Sequence, residues 1–190
     1  MITAADLTAR ARRVRLLSCD VDGVLTDGRI YVAEDGSELK AYSCLDGLGM
    51  KWLERSGIVV AWITGSSAPA VAKRAATLGI SRVVQGVENK LEAWELLRTE
   101  LALEPEECAH IGDDFPDLAV IVRCGLAATV PHAPEPLQRR AHYVTRAEGG
   151  AGAVRELAAL ILTAQGKLAH LLRAYGDEDA LATEPRLRRL

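Results

Sequence analysis

Two aspartates stand two positions apart, Asp20-Val21-Asp22, directly after the apolar run Val14–Cys19. Carboxylates held this close repel one another unless positive charge lies among them. A hard divalent cation such as Mg²⁺ supplies it, taking one or two carboxylates together with waters and phosphate oxygens. Further polar groups sit at the ends of other apolar runs: Thr64 and Gly65 after Ile58–Ile63, and Asp113 and Asp114 after Cys108–Ile111. Lys90 opens an amphipathic stretch. A carboxylate cluster, a fixed ammonium, a hydroxyl and the backbone N–H groups of a helix start together describe a phosphate-processing site. One aspartate of the pair can attack phosphorus and carry an aspartyl-phosphate. The other can protonate the leaving oxygen and then deprotonate the water that hydrolyses the intermediate. Metal and Lys90 offset the charge on the equatorial oxygens.

These residues are far apart in the chain, so the fold must bring them together. Short apolar runs alternate with helical periodicity. That pattern predicts an α/β fold, a Rossmann-like parallel sheet sandwiched by helices with right-handed crossovers. Strands are expected at 14–19, 58–63, 82–84, 108–111, 126–129 and 143–144, and helices at 48–56, 68–78, 90–101, 116–124, 134–140 and 154–164. Gly47-Leu48-Gly49 is read as a turn before a helix. In such sheets the ligand lies beyond the carboxyl ends of the strands, which is where the polar groups fall. The stretch Arg29–Tyr42 differs: two extended runs flank Glu34-Asp35-Gly36-Ser37, a hairpin signal. An isolated two-stranded hairpin is marginal in water, so the face bearing Ile30 and Val32 is expected to be buried in an oligomer. Glu34, Glu38 and Lys40 are read as a solvated or interface face. One domain is expected over 1–175, with the hairpin inserted at about 27–44 and a flexible tail at 176–190. Arg186, Arg188 and Arg189 near the end of that tail are weak evidence for an acidic partner.

The composition narrows the alternatives. The 190 residues carry a net charge of −3 and only 4% aromatics, which speaks against a nucleic-acid partner. No apolar run is long enough to span a bilayer, so no membrane partner is expected. The first seventeen residues contain no apolar core of a secretory signal, and cytoplasmic residence is expected. Cys19, Cys44, Cys108 and Cys124 form no CxxC pair and are expected to be reduced and mostly buried. Trp52, Trp62 and Trp94 are read as core packing, and His132 and His142 as residues near late loops that rarely touch substrate.

Four motifs in order carry a resemblance: Asp20-Val21-Asp22-Gly23-Val24-Leu25-Thr26, Ile63-Thr64-Gly65, Lys90, and Gly112-Asp113-Asp114 with Asp117. The chain resembles the haloacid dehalogenase superfamily in its capless branch, the hairpin standing in place of a cap domain. From 16 to 168 it is similar to the 3-deoxy-D-manno-octulosonate 8-phosphate (KDO 8-phosphate) phosphatases. Asp46-Gly47-Leu48-Gly49, Gln85-Gly86, Tyr143-Val144-Thr145-Arg146 and Gly152-Ala153-Val154-Arg155-Glu156 also carry that likeness. The resemblance implies a Mg²⁺-dependent sugar-acid phosphatase of lipopolysaccharide precursor synthesis. It also implies a homotetramer whose hairpins meet at the centre and whose C-terminal tail reaches a neighbour's site. It assigns Asp20 as nucleophile and metal ligand and Asp22 as acid/base, ligating through its backbone carbonyl. Thr64 and Lys90 hold phosphate, and Asp113 is a ligand. Asp22, Asp46, Gly47, Lys51, Thr64, Gly65, Ser66, Arg74 and Lys90 form the implied substrate-binding set. The chain departs from the family at Leu45, Ser66 and Ala151, where basic residues are usual. A lost charge-assisted bond costs about 1.5–3 kcal/mol, or one to two decades of affinity. A different substrate therefore stands beside the first expectation: a 9-carbon sialic-type acid phosphate or a small phosphate ester. A non-catalytic scaffold is the third reading, against which the intact motif residues argue.

Overall fold

The computed structural model describes residues 2–177. It begins with a helix that the strand–helix alternation does not announce, α1 (Ala4–Arg13). Its cues are local. The Thr3 hydroxyl accepts from the Asp6 N–H at one end, and Arg10, Arg12 and Arg13 face the carboxyl end of the helix dipole at the other. Only Leu7 and Ala11 of this helix are buried, too thin a stripe to read as a period.

Six strands follow in one parallel sheet: β1 (Leu16–Cys19), β4 (Val59–Ile63), β5 (Arg82–Val84), β6 (Cys108–Gly112), β7 (Leu126–Thr129) and β8 (Tyr143–Val144). Their order is β5-β4-β1-β6-β7-β8. β1 is central, with Leu16 paired to Val59 on one side and to Cys108 on the other. Chain progression runs outward from β1 through β4 to β5, then returns to β6 and continues the other way. That reversal opens a crevice at the carboxyl end of β1. The crossovers are made by α2 (Cys44–Arg55), α3 (Pro69–Leu78), α4 (Lys90–Glu100), α5 (Leu118–Arg123) and α6 (Glu135–Arg140), and α7 (Ala153–Ala164) and α8 (Leu168–Arg173) close the described chain. α7 packs on α1 and α2, while α5 packs on α4 and α6. Right-handed crossovers put these two sets on opposite faces of the sheet. Trp62 and Trp94 are fully buried between the layers and Trp52 nearly so, as expected of packing residues. Cys19, Cys108 and Cys124 are buried, Cys44 is exposed, and all four are free.

The sequence reading misplaces several boundaries. The helix expected from Leu48 starts at Cys44, because the Ser43 hydroxyl accepts from the Leu45 and Asp46 N–H groups and caps it there. Gly47-Leu48-Gly49 is thus inside a helix and not a turn before one. Its glycines make room: a Cβ on Gly47 would lie 2.9 Å from an Arg74 guanidinium nitrogen, and one on Gly49 would lie 2.9 Å from the Arg155 Cα. The helix expected at 116–124 is split. A 3₁₀ turn at Phe115–Asp117, opened by the Asp114 carboxylate accepting from the Phe115 N–H, precedes α5. α8 has no counterpart in the sequence reading.

The hairpin is present as β2 (Tyr31–Val32) and β3 (Glu38–Leu39), an antiparallel pair of two residues each. Asp35 shapes its turn by accepting from the Ser37 N–H and hydroxyl. Of the expected tail at 176–190, only Gly176 and Asp177 lie within the described residues; its closing arginines lie outside them. Among the described residues, no helix is long and apolar enough to cross a membrane.

Candidate active site

β1 ends at Cys19, and the next nine residues form a turn that presents Asp20 and Asp22. The Asp20 N–H still bonds the Ile111 carbonyl of β6, so Asp20 leaves the sheet from a fixed position. The Val21 carbonyl accepts from the Leu25 and Thr26 N–H groups, and the buried Thr26 hydroxyl accepts from the Gly28 N–H. Gly23 adopts φ +94°, and a Cβ there would fall 2.0 Å from an Asp113 carboxylate oxygen. Glycine is required at this position both by backbone conformation and by the approach of Asp113. Gly149 and Gly150 lie directly on the same turn, the Gly150 N–H bonding the Val24 carbonyl.

Lys90 is the first residue of α4, placed by the Asn89 side chain that caps that helix through the Glu92 N–H. Its ammonium lies 2.7 Å from Asp20 Oδ1 and 2.7 Å from Asp117 Oδ1. Asp117 Oδ1 also meets His110 Nε2 at 3.1 Å, and His110 Nδ1 lies 2.9 Å from Ser18 Oγ. A buried chain Ser18–His110–Asp117–Lys90–Asp20 thus crosses the carboxyl edge of β1 and β6.

Charge and burial compete throughout this chain. Burial and the neighbouring Asp117 charge push the Asp20 carboxyl up, against the pull of Lys90. Asp113 is pushed up to about 8 by burial and then by the Asp20 charge. Burial would raise Asp117 as well, but His110 and Lys90 outweigh it and hold the group below its usual range. Burial would lower Lys90, but Asp20 and Asp117 raise it. Carboxyl groups forced up by one another's charge are the environment that a cation relieves.

Oxygens of Asp20, Asp113 and Asp117 come within 4.8 Å of one another. Asp117 Oδ2 is buried and has no hydrogen-bond partner. An orphaned carboxylate oxygen beside two others fits a hard divalent cation. Asp20 and Asp113 belong to this group, as the sequence reading expected of the metal ligands. The side chain of Asp22 does not belong to it, and Asp117 completes it. Asp22 Oδ1 is instead 2.5 Å from the Lys40 ammonium. The ligand role expected of Asp22 is that of its backbone carbonyl, not of this carboxylate.

Thr64 follows β4 and is buried; its N–H bonds the Val84 carbonyl and its hydroxyl accepts from the Ser66 N–H. The Ser66 hydroxyl in turn accepts from the Ala68 N–H. α3 begins only at Pro69, so the amides after Thr64 belong to a loop closed by these two hydroxyls and not to the helix N-terminus the sequence suggested. Gly65 lies in that loop.

The remaining expected binding residues are divided. Arg74 projects from α3 toward α2 and the returning leg of the hairpin: its Nε is buried without a partner, and its guanidinium lies 5.9 Å from the Tyr42 ring centroid. Gly47 leaves the space that Arg74 occupies. Lys51, on α2, is half-buried and makes no ion pair among the described residues. Asp46 is buried, and its two oxygens accept from the Gly152 and Arg155 N–H groups, so it caps α7 from across the helix seam. That satisfies its carboxylate within the protein.

Four residues at or near the site were not assigned a role from sequence. Asp117 was visible as part of the fourth motif. His110 is the one histidine in β6. Lys40 was read as part of a solvated or interface face, yet only 3% of its side chain is exposed, because Asp22 and Glu38 hold its ammonium. Tyr42 stacks on Trp62 with 6.0 Å between ring centroids. Of the late histidines, His132 stands at the rim, 2.8 Å from Glu148 and 3.8 Å from Asp113. His142 is tied into the sheet by accepting the Ala127 N–H.

A parallel sheet with an Asp-x-Asp turn after its central strand, a lysine joined to the first aspartate, and further carboxylates from the next strand defines a haloacid dehalogenase-like hydrolase. The family model of haloacid dehalogenase-like hydrolases matches residues 48–125. The chain belongs, more narrowly, to the 3-deoxy-D-manno-octulosonate 8-phosphate phosphatases, a family of phosphoric monoester hydrolases. It is 50% identical over 165 residues to the 3-deoxy-D-manno-octulosonate 8-phosphate phosphatase KdsC of Escherichia coli K12, covering 87% of this chain and 88% of that one. The Yersinia pestis phosphatase of the same name is 49% identical, and its crystal structure superposes with a TM-score of 0.86 over 87% of this chain and 90% of that one. The Moraxella catarrhalis phosphatase, solved with magnesium, phosphate and KDO, is 40% identical, with a TM-score of 0.89 over 91% of this chain and 99% of that one.

Proposed function

We propose that this chain hydrolyses 3-deoxy-D-manno-octulosonate 8-phosphate to the free sugar acid and phosphate, with Mg²⁺ as its cofactor. The observation that carries this reading is the buried Asp20–Lys90–Asp117 chain beside Asp113, in a protein that aligns over 91% of its length with a relative crystallised with magnesium, phosphate and KDO. Asp20, Asp113 and Asp117 would hold the ion, which supplies positive charge against the phosphate oxygens.

The chain's own residues divide the reaction. Asp20 attacks phosphorus while the bond from phosphorus to the sugar oxygen breaks. Asp22 gives its proton to that oxygen, releasing the alcohol and leaving an aspartyl-phosphate. Asp22 then takes a proton from water, whose oxygen attacks the same phosphorus, and Asp20 is released as carboxylate with phosphate. Lys90 orients Asp20 and offsets the charge of the transferring group. The Thr64 hydroxyl and the Gly65 amide receive phosphate oxygens, and Arg74 faces the sugar end. Cytoplasmic residence and a tetrameric assembly are part of this proposal. The four free cysteines support the first, and the exposed apolar hairpin the second.

A second substrate is favoured by particular positions. Leu45, 57% exposed at the start of α2, Ser66 in the loop after Thr64, and Ala151 after the glycines on the Asp22 turn leave no basic side chain at three positions where one could pair with a carboxylated ligand. Phosphate release with Mg²⁺ from KDO 8-phosphate, a 9-carbon sialic-type phosphate and small sugar phosphates separates the readings, with Asp20→Asn as control. The proposal expects KDO 8-phosphate to have the highest kcat/KM by tenfold or more. A higher value for another ester selects the second reading, and no turnover of any of them overturns both.

A further inference from the structure

The hairpin is exposed along most of its length, with Ile30, Val32 and Leu39 at 66, 67 and 61% exposure. Lys40, which leaves β3, is the opposite case, with 3% of its side chain exposed. An ammonium on a water-facing flap stays covered only if partners hold it there. Its Nζ lies 2.5 Å from Asp22 Oδ1, and Glu38 is the second carboxylate, at 3.7 Å. Two residues later, Tyr42 stacks on the buried Trp62, which pins the returning leg of the hairpin to the sheet.

We propose that Lys40 is the positioning residue of Asp22. It grips Oδ1 so that Oδ2 is left to face the leaving oxygen, and it thereby makes the closed hairpin a part of acid–base catalysis. A charge-assisted hydrogen bond fixes the orientation of a carboxylate that is otherwise free to rotate on a partly exposed turn. The nucleophile does not need this contact, because Lys90 orients Asp20 by itself. Loss of Lys40 should therefore spare attack on phosphorus and slow proton transfer. This rests on the reading of Asp22 as the acid/base, and the experiment tests the two separately.

The probe is the basicity of the leaving group. p-Nitrophenolate departs without a proton, whereas the alkoxide of a sugar does not. kcat/KM, which covers the steps through the first phosphoryl transfer, is measured for p-nitrophenyl phosphate and for the best sugar phosphate of the panel. Wild type, Lys40→Met, Lys40→Gln and Asp22→Asn are compared, thermal unfolding showing which variants are folded. The expected result is a loss of about tenfold or more on the sugar phosphate, carried by kcat, with less than about threefold on p-nitrophenyl phosphate, in either Lys40 variant. Asp22→Asn should show the same selectivity more strongly. Equal losses on both substrates, or a change in KM alone, while Asp22→Asn remains selective, overturn the role of Lys40. An Asp22→Asn variant without selectivity overturns the acid/base reading itself.

Discussion

Asp113 and Asp20 show how the protein stores electrostatic strain that a cation releases. Burial, followed by the charge of its neighbour, pushes Asp113 up to about 8 from an ordinary 3.8. Asp20 is shifted in the same direction. A carboxyl group whose folded value is raised stabilises the fold below its unfolded value, and that contribution is lost as pH rises through the folded value. Asp117 shifts the opposite way, and its effect falls below about pH 4, outside this window. In EDTA, thermal unfolding should therefore occur several degrees lower at pH 8 than at pH 5, a fall only partly offset by His142, whose lowered value adds stability as pH rises through the same window. Mg²⁺ should raise the unfolding temperature more at pH 8 than at pH 5, since the ligands must be ionised to bind it. A flat EDTA profile would show that Asp113 is not held protonated in the metal-free protein. His110 belongs to the same account: the Asp117 oxygen that it and Lys90 share leaves the other free for the ion.

The seam between α2 and α7 is tied by side chains that cap one helix from the other. Asp46 on α2 caps α7 through Gly152 and Arg155, and Arg155 in turn lies 3.5 Å over the Trp52 ring. Glu156 on α7 accepts from the Arg146 and Ala147 N–H groups and from the Tyr143 hydroxyl, which shapes the loop that carries the glycines onto the Asp22 turn. These contacts account for two of the segments that carry the family likeness, Tyr143–Arg146 and Gly152–Glu156, by structure and not by chemistry. Gly49 sets the distance across the seam. Its replacement by alanine places a Cβ 2.9 Å from the Arg155 Cα, a backbone atom that yields only by shifting a helix. Gly49→Ala should destabilise the protein by about 1–3 kcal/mol in urea unfolding, with the Mg²⁺ requirement unchanged. No loss of stability would show that α7 can shift freely.

In the proposed assembly the hairpin is the part that other copies of the chain would cover. Among the described residues its two strands pair only with each other, and Ile30, Val32 and Leu39 stay largely exposed. A paired strand of two residues has little stability of its own in water. Burial of these side chains between copies would supply it at roughly 25 cal/mol per Å² of apolar surface. Val32→Glu should therefore lower the sedimentation coefficient from that of an oligomer toward that of a 20.4 kDa monomer. Wild-type protein sedimenting as a monomer at micromolar concentration would refute the assembly.

Much of the site was legible in the sequence because it sits at strand ends. Asp20, Thr64, Lys90 and Asp113 follow runs whose periodicity marks a parallel sheet, and a parallel sheet collects the ends of its strands at one edge. The α/β class and the order of the motifs follow from that regularity, as does a carboxylate–lysine centre for phosphate. Which carboxylate joins Asp20 and Asp113 did not follow, because that depends on how the 3₁₀ turn at Phe115–Asp117 and the Lys90 and His110 side chains orient Asp117. Nor did the withdrawal of Asp46 into a helix cap, or the burial of Lys40 on Asp22, contacts that span 106 and 18 positions in the chain. Local pattern determines elements and their ends; side-chain partners across elements are decided by packing, which no short window of sequence contains.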